Sequence, residues 1–119
     1  MELHAAIAVD DIPEGTMREV TIRDKEVALA NVEGTVYAFQ GRCSHMGGVL
    51  ADGRLEGRIV QCPLHGSRFD VTTGKKESGP HLAGAAGKAL GINRLASALT
   101  KDLETYRAVT EEGTVKVEL

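Results

Sequence analysis

Tryptophan is absent from this chain and aromatic residues make up only 3% of it, so the core must be built from Val, Leu, Ile and Ala. No apolar stretch approaches the roughly 18 residues of a membrane-spanning helix, which argues against a membrane partner. The basic start and apolar run of a secretion signal are missing too, since Asp10 and Asp11 arrive early. There is no lysine-rich run, and the formal net charge is −3, which excludes the usual electrostatic footprint of a nucleic-acid binder. The 119 residues predict one domain, 1–119, able to bury roughly two thirds of its unfolded surface. Cysteine is scarce, with 2 in the chain. If both serve a metal no disulfide is left, which fits a reducing, cytoplasmic setting.

Each cysteine has a histidine close by. The first loop reads Cys43-Ser44-His45-Met46-Gly47-Gly48, and the second reads Cys62-Pro63-Leu64-His65-Gly66-Ser67-Arg68-Phe69-Asp70. Two soft thiolates and two imidazoles, on loops that glycine lets turn tightly, make a ligand set for zinc or for an iron–sulfur cluster. A zinc finger usually groups like with like, a Cys pair on one knuckle and a His pair on a helix. Here both loops are mixed. A mononuclear metal gains nothing obvious from that arrangement. A two-iron cluster does, because each loop can send its Cys to one iron and its His to the other. Structural zinc and two unrelated buried Cys–His pairs are the competing readings.

Around these loops the chain reads as strands. His4–Val9 alternates weakly and reads as a first strand, and Met17–Ile22, Glu26–Val32 and Thr35–Phe39, separated by turns at Asp24-Lys25 and Glu33-Gly34, predict an antiparallel meander. Arg58–Gln61 and Ser67–Val71 flank the second loop, and Thr72–Lys75 closes a hairpin. Residues from about 41 to 80 therefore read as a small subdomain inserted into a larger sheet. Glu104–Thr110 and Thr114–Leu119 form a closing hairpin around Glu112-Gly113, with Tyr106, Val109, Val115, Val117 and Leu119 completing the main sandwich. Between them, Leu82–Asp102 is alanine-rich. Leu82, Ala85, Ala86, Ala89 and Leu90, then Ile92, Leu95, Ala96 and Leu99, recur at helical spacing, and Asn93 is placed to cap a helix from Arg94 to about Asp102. That segment is expected to fold over its own sheet, to offer a docking or dimer contact, or to be a mobile loop.

The boxes Cys-x-His-x-Gly and Cys-Pro-x-His-Gly-Ser-x-Phe-Asp resemble the Rieske [2Fe–2S] family, most closely its soluble bacterial ferredoxins. The likeness runs from about Ala8 through Pro80 and resumes at Leu103. It implies an all-β, antiparallel Rieske-like sandwich with a small inserted cluster-binding subdomain. The helical insertion near the C-terminus departs from the family. By the same resemblance one [2Fe–2S] cluster is held by Cys43 and Cys62 on the inner iron and by His45 and His65, through Nδ1, on the outer one. Ser78-Gly79-Pro80 resembles the family's proline loop, the plain alternative being an ordinary turn. In high-potential members the residue matching Ser67 donates to a bridging sulfide, and a tyrosine at the position of Phe69 donates to a cysteine sulfur. This chain keeps the first donor and lacks the second.

Neutral imidazoles in place of two thiolates raise the potential of such a centre. The resemblance further implies that Nε2 of each imidazole faces solvent, an edge that shortens the electron path to a partner and makes the site a carrier. No catalytic residue is expected. Asp52 and Asp70 have no second base nearby, and His4 and His81 lie outside the boxes. Rieske proteins of cytochrome bc-type complexes carry two further cysteines, at positions matching Gly48 (or a neighbour) and Leu64, and a membrane anchor, so a respiratory subunit is not expected. The resemblance implies transfer from a flavin-dependent reductase to a terminal oxygenase or similar acceptor. A small Rieske subunit of a nitrite reductase-like enzyme and a zinc-bound interaction module are the alternatives.

Overall fold

A strand whose residues are all apolar needs cover on both faces. That requirement shapes the fold. The computed structural model describes residues 2–43, 47–64, 66–78 and 100–119. Its meander consists of β2 (Met17–Ile22), β3 (Lys25–Val32) and β4 (Thr35–Gln40), preceded by β1 (Leu3–Ala8). Along β3, Val27, Ala28, Leu29 and Ala30 are all fully buried. Successive side chains of a strand point to opposite faces. Ala28 and Ala30 accordingly pack with Phe39, Leu50, Val60, Phe69 and both cysteines, while Val27 and Leu29 pack with Ile12, Val36, Val115 and Val117.

Among the described residues three antiparallel sheets carry these two cores. The central one has the order β2-β3-β4-β9, with β9 at Thr105–Tyr106. On one side lies β1-β11-β10, with β10 at Ala108–Glu111 and β11 at Thr114–Glu118. On the other lies β5-β6-β7-β8, formed by Arg54–Glu56, Ile59–Gln61, Arg68–Asp70 and Lys76–Ser78. In this third sheet Val60 lies opposite Phe69, and both are fully buried against the central sheet. The expected all-β antiparallel architecture is what forms.

Several expectations need correction in detail. Ile22 pairs with Lys25, so the first hairpin turns at Arg23-Asp24 rather than Asp24-Lys25. Both turn residues have positive φ, +51° and +65°, the two-residue geometry that matches strand twist. The single strand expected over Glu104–Thr110 is two strands. β9 pairs with β4 and β10 pairs with β11, and one straight strand cannot serve two different sheets. Residues 54–56 and 76–78 also form strands that their short, polar sequences do not announce.

The expected helix at 82–102 lies, for 82–99, outside the described residues, as do Gly79 and Pro80 of the expected proline loop. At 100–102 there is no helix. Asp102 accepts the Lys76 amide on Oδ1 at 2.8 Å and the Leu103 amide donates to the Gly74 carbonyl at 2.7 Å, so this stretch is tied to the β7–β8 hairpin instead.

The hairpin is also fastened from within. Asp70 Oδ1 accepts the Thr72 amide at 2.8 Å and its hydroxyl at 2.6 Å, and Oδ2 meets Arg58 Nε at 3.1 Å. Burial pushes the Asp70 pKa up, but the Thr72 hydrogen bonds and the Arg58 charge outweigh it and leave it lowered. Asp70→Ala is therefore expected to lose about 2 kcal/mol near neutral pH, the scale of hydrogen bonds to a charged group. With its folded pKa depressed, the carboxylate's contribution is present above the ordinary Asp value and lost as pH falls through the folded one. Thermal melts of the two proteins should converge in strong acid, and a constant gap between them would contradict this account.

Candidate metal centre

The two Cys-containing loops are built alike. In the first, the Cys43 amide donates to the Gly48 carbonyl at 2.8 Å and the Gly47 amide to the Cys43 carbonyl at 3.0 Å. In the second, the Cys62 amide donates to the Ser67 carbonyl at 2.8 Å and the Gly66 amide to the Cys62 carbonyl at 3.1 Å. Counted from its cysteine, each loop closes with the same pair of bonds. Each also turns on a glycine at the same offset, Gly47 at φ +73° and Gly66 at φ +80°, a region where a β-carbon is strained. Repeated backbone bonding of this kind holds each cysteine at the root of a tight, reversing loop.

Both thiols are 3% exposed, belong to the core shared by the central and third sheets, and take part in no disulfide. The loops converge there. A β-carbon placed on Gly48 would lie 2.8 Å from Cys62 Sγ and 3.0 Å from Leu64 Cγ, so the end of the first loop touches the second. Gly48 therefore packs against Leu64. His45 and His65 lie outside the described residues, as does His81. His4 sits half-buried on β1, paired with Val117 and remote in topology from either loop. Asp70 braces a hairpin, and Asp52 lines a cavity of about 220 Å³ with Arg54, Gln61, Cys62 and Pro63.

Ser67 supplies the decisive fit. It is fully buried, and its hydroxyl has no hydrogen-bond partner among the described residues. An orphaned buried hydroxyl costs about 1–3 kcal/mol, which an acceptor brought by a bound group offsets. Two buried thiols converging beside an orphaned donor suit a group that carries its own sulfur acceptors.

Comparison with known proteins agrees. Residues 2–107 match the Rieske [2Fe–2S] domain. This chain belongs to the Rieske family. It is 40% identical over 114 residues to the ferredoxin component of the naphthalene 1,2-dioxygenase/salicylate 5-hydroxylase systems of Ralstonia sp, covering 96% of this chain and 92% of that one. The ferredoxin component of the Pseudomonas putida naphthalene 1,2-dioxygenase system is 38% identical over the same length and coverage. Among solved structures, a chain of the complex of reduced oxygenase and oxidised ferredoxin in carbazole 1,9a-dioxygenase superposes with a TM-score of 0.76 at 28% identity, covering 97% of this chain and 91% of that one. The Sphingomonas yanoikuyae B1 ferredoxin gives 0.79 at 24% identity, covering 99% of each chain, and shares the fold.

The Rieske chain thus binds one [2Fe–2S] cluster, which decides against the zinc reading, and works as an electron carrier within an oxidoreductase system rather than as an enzyme itself. No helix among its described residues is long and apolar enough to cross a membrane.

One group beside the first loop escapes sequence reasoning. Arg42 Nε meets Glu26 Oε2 at 2.8 Å, a contact across 16 residues that only strand pairing creates. Glu19, diagonal to Glu26 on the β2–β3 ladder, joins them. Burial first, then the charge and hydrogen bond of Glu26, raise the Glu19 pKa, against the pull of Arg42. A carboxyl whose folded pKa is raised adds stability that is fully present below its ordinary value and lost as pH rises through the folded one. Glu19→Gln should therefore melt slightly higher than wild type at neutral pH, by a small margin because solvent screens the site. The advantage should vanish in acid. A variant less stable than wild type at neutral pH would contradict the assignment.

Proposed function

We propose that this Rieske chain receives single electrons from a flavin-dependent reductase and delivers them to the terminal oxygenase of an aromatic-ring dioxygenase system. Cys43 and Cys62 are the thiolate ligands, His45 and His65 the imidazole ligands, and Ser67 donates a hydrogen bond to the bound cluster. The observation that carries the ligand assignment is the pair of identically bonded loops bringing Cys43 and Cys62 into one core beside the orphaned Ser67 hydroxyl. Support for the oxygenase comes from relatives that are ferredoxin components of naphthalene dioxygenase systems, and from a structural neighbour taken from an oxygenase–ferredoxin complex. The reductase and a cytoplasmic location rest on the family resemblance and on the absence of a spare cysteine pair. One domain over 1–119, with its cluster-binding part at about 41–80, fits the two cores that share the central sheet. The helical spacing within 82–99 supports a short helix available to a partner or a second copy; this rests on sequence alone.

When bound, the cluster supplies a one-electron couple. The protein's part is to hold it, keep water from the buried thiolates and stabilise the charge of the added electron. Reconstitution tests the function directly. Purified chain should restore product formation when added to the reductase and terminal oxygenase of a naphthalene 1,2-dioxygenase system depleted of its own ferredoxin. Cluster-loaded chain that accepts no electrons from the reductase, or passes none to the oxygenase, would refute the pairing.

Ligation is tested separately. Cys43→Ser and Cys62→Ser should each abolish the visible absorbance and the two irons and two acid-labile sulfides of the loaded protein. Retention of a full cluster by either would remove that residue from the ligand set.

The potential reports on Ser67. Only the part of a charged hydrogen bond that differs between redox states moves the couple, and about 59 mV corresponds to a tenfold change in equilibrium constant for one electron. Ser67→Ala should lower the potential by some tens of mV, and Phe69→Tyr should raise it similarly if the new hydroxyl reaches sulfur. An unchanged potential in Ser67→Ala, read by voltammetry, would mean that the serine points elsewhere.

A further inference from the structure

The two loops are bonded alike but supported differently. The second springs from a complete sheet: Gln61 at its root pairs with Arg54 on one side and Arg68 on the other, and β6 and β7 continue the ladder up to Cys62 and Ser67. The first leaves β4 at Gln40, where the sheet ends. Among the described residues its outgoing and return limbs meet in a single isolated bridge, Arg42 with Val49, made by the Cys43 amide to the Gly48 carbonyl at 2.8 Å and the Leu50 amide to the Gly41 carbonyl at 3.0 Å, and no strand ladder continues beneath it.

The side chain of Arg42 makes up the difference. Its Nε donates to Glu26 Oε2 at 2.8 Å and its Nη1 to the Gly47 carbonyl at 3.1 Å, so one planar fork joins strand β3 to the glycine on which the loop turns. The backbone beneath is held as well. The Gly41 amide donates to the Glu26 carbonyl at 3.0 Å, and Gln40 Nε2 donates to the Arg42 carbonyl at 2.7 Å while its Oε1 accepts the Glu104 amide at 2.7 Å. Gly41 leaves room for the arrangement, because a β-carbon there would lie 2.9 Å from Glu19 Oε1 and 3.0 Å from the Glu26 carbonyl oxygen.

We propose that Arg42 is a positioning residue for the cluster. By tying the Gly47 carbonyl to Glu26 it fixes the turn that presents the first pair of ligands, in place of the strand ladder that fixes the second. The proposal rests on the assignment of Cys43 and His45 as ligands. As an ion pair the contact contributes little to folding, since Arg42 and Glu26 side chains are 52% and 39% exposed. Its role is geometric. A guanidinium can serve a carboxylate and a carbonyl at once from fixed directions, whereas a lysine ammonium is a point charge on a flexible stem.

Those properties separate the outcomes. Arg42→Gln, Arg42→Lys and Glu26→Gln are prepared as full-length, cluster-loaded proteins. Measured for each are the iron and sulfide content, the rate of absorbance loss under an iron chelator, the reduction potential and the Tm. Arg42→Gln should load a full cluster, lose it several-fold faster than wild type, show a lower potential, and melt within a few degrees of wild type. Arg42→Lys, which keeps the charge, should recover the potential but not the slow loss. Glu26→Gln should speed the loss less, and combining it with Arg42→Gln should add nothing. Wild-type loss rates in Arg42→Gln would overturn the proposal, as would full rescue of the loss rate by lysine, which would reduce Arg42 to a nearby charge. Should Arg42→Gln fail to fold, the lysine and Glu26 variants still decide. A wild-type chain that holds no cluster would instead refute the ligand assignment.

Discussion

The double-faced burial of β3 is the constraint on which the rest of the structure depends. Val27 and Leu29 close one core and Ala28 and Ala30 the other, so the central sheet is a wall shared by two layers. The small alanines face the side that holds both cysteines. Volume given up by Ala28 and Ala30 is filled by Phe39 and Phe69, the two phenylalanines of a chain that has no tryptophan. A larger residue at either alanine would overpack that core and push on the layer from which the second loop emerges.

From that wall the site follows by extension of backbone bonding. Strands β6 and β7 end in a loop whose closing bonds continue their ladder, and Ser67 is buried at its exit with a hydroxyl that has no partner among the described residues. The first loop reproduces the same closing bonds at the end of β4, where the sheet is running out. Tight loops are rigid only as far as their ends are held. Beyond one bridge and a few backbone bonds, the ends of this one are held by side chains, Gln40 toward Glu104 and Arg42 toward Glu26. Such contacts are more exposed than a strand ladder, and the same region forms an open groove of about 440 Å³ lined in part by Lys25, Glu26, Arg42 and Tyr106. Its electrostatics are mixed. Lys25 lies 4.9 Å from the centre of the Tyr106 ring, and burial, with the Glu104 hydrogen bond, pushes the Tyr106 pKa up to about 12.

Much of this was legible in the sequence because the signals are local. Alternation and turn residues give the hairpins, and two boxes that mix Cys with His give the chemistry, since few groups want two thiolates and two imidazoles on two loops. The errors have local causes too. The expected turn at Asp24-Lys25 shifts by one residue, because the register that seats Ile22 and Val27 inward puts Lys25 on the strand. Residues 100–102 continued a helical pattern that a tether between Asp102 and Lys76 overrides.

The sequence by itself determined the family, the cofactor and the class of activity, because ligand type and spacing are carried by a few adjacent residues. It also determined the all-β fold, because short alternating or continuously apolar runs between turn residues are local signals. Only the tertiary structure decided which sheet each short strand joins, how the first loop is braced, and that the buried Ser67 hydroxyl finds no partner among the described residues. Those outcomes depend on pairs such as Arg42 with Glu26 and Asp70 with Arg58. Such partners meet because strands stack in register, and nothing in either residue's own neighbourhood in the chain records the other.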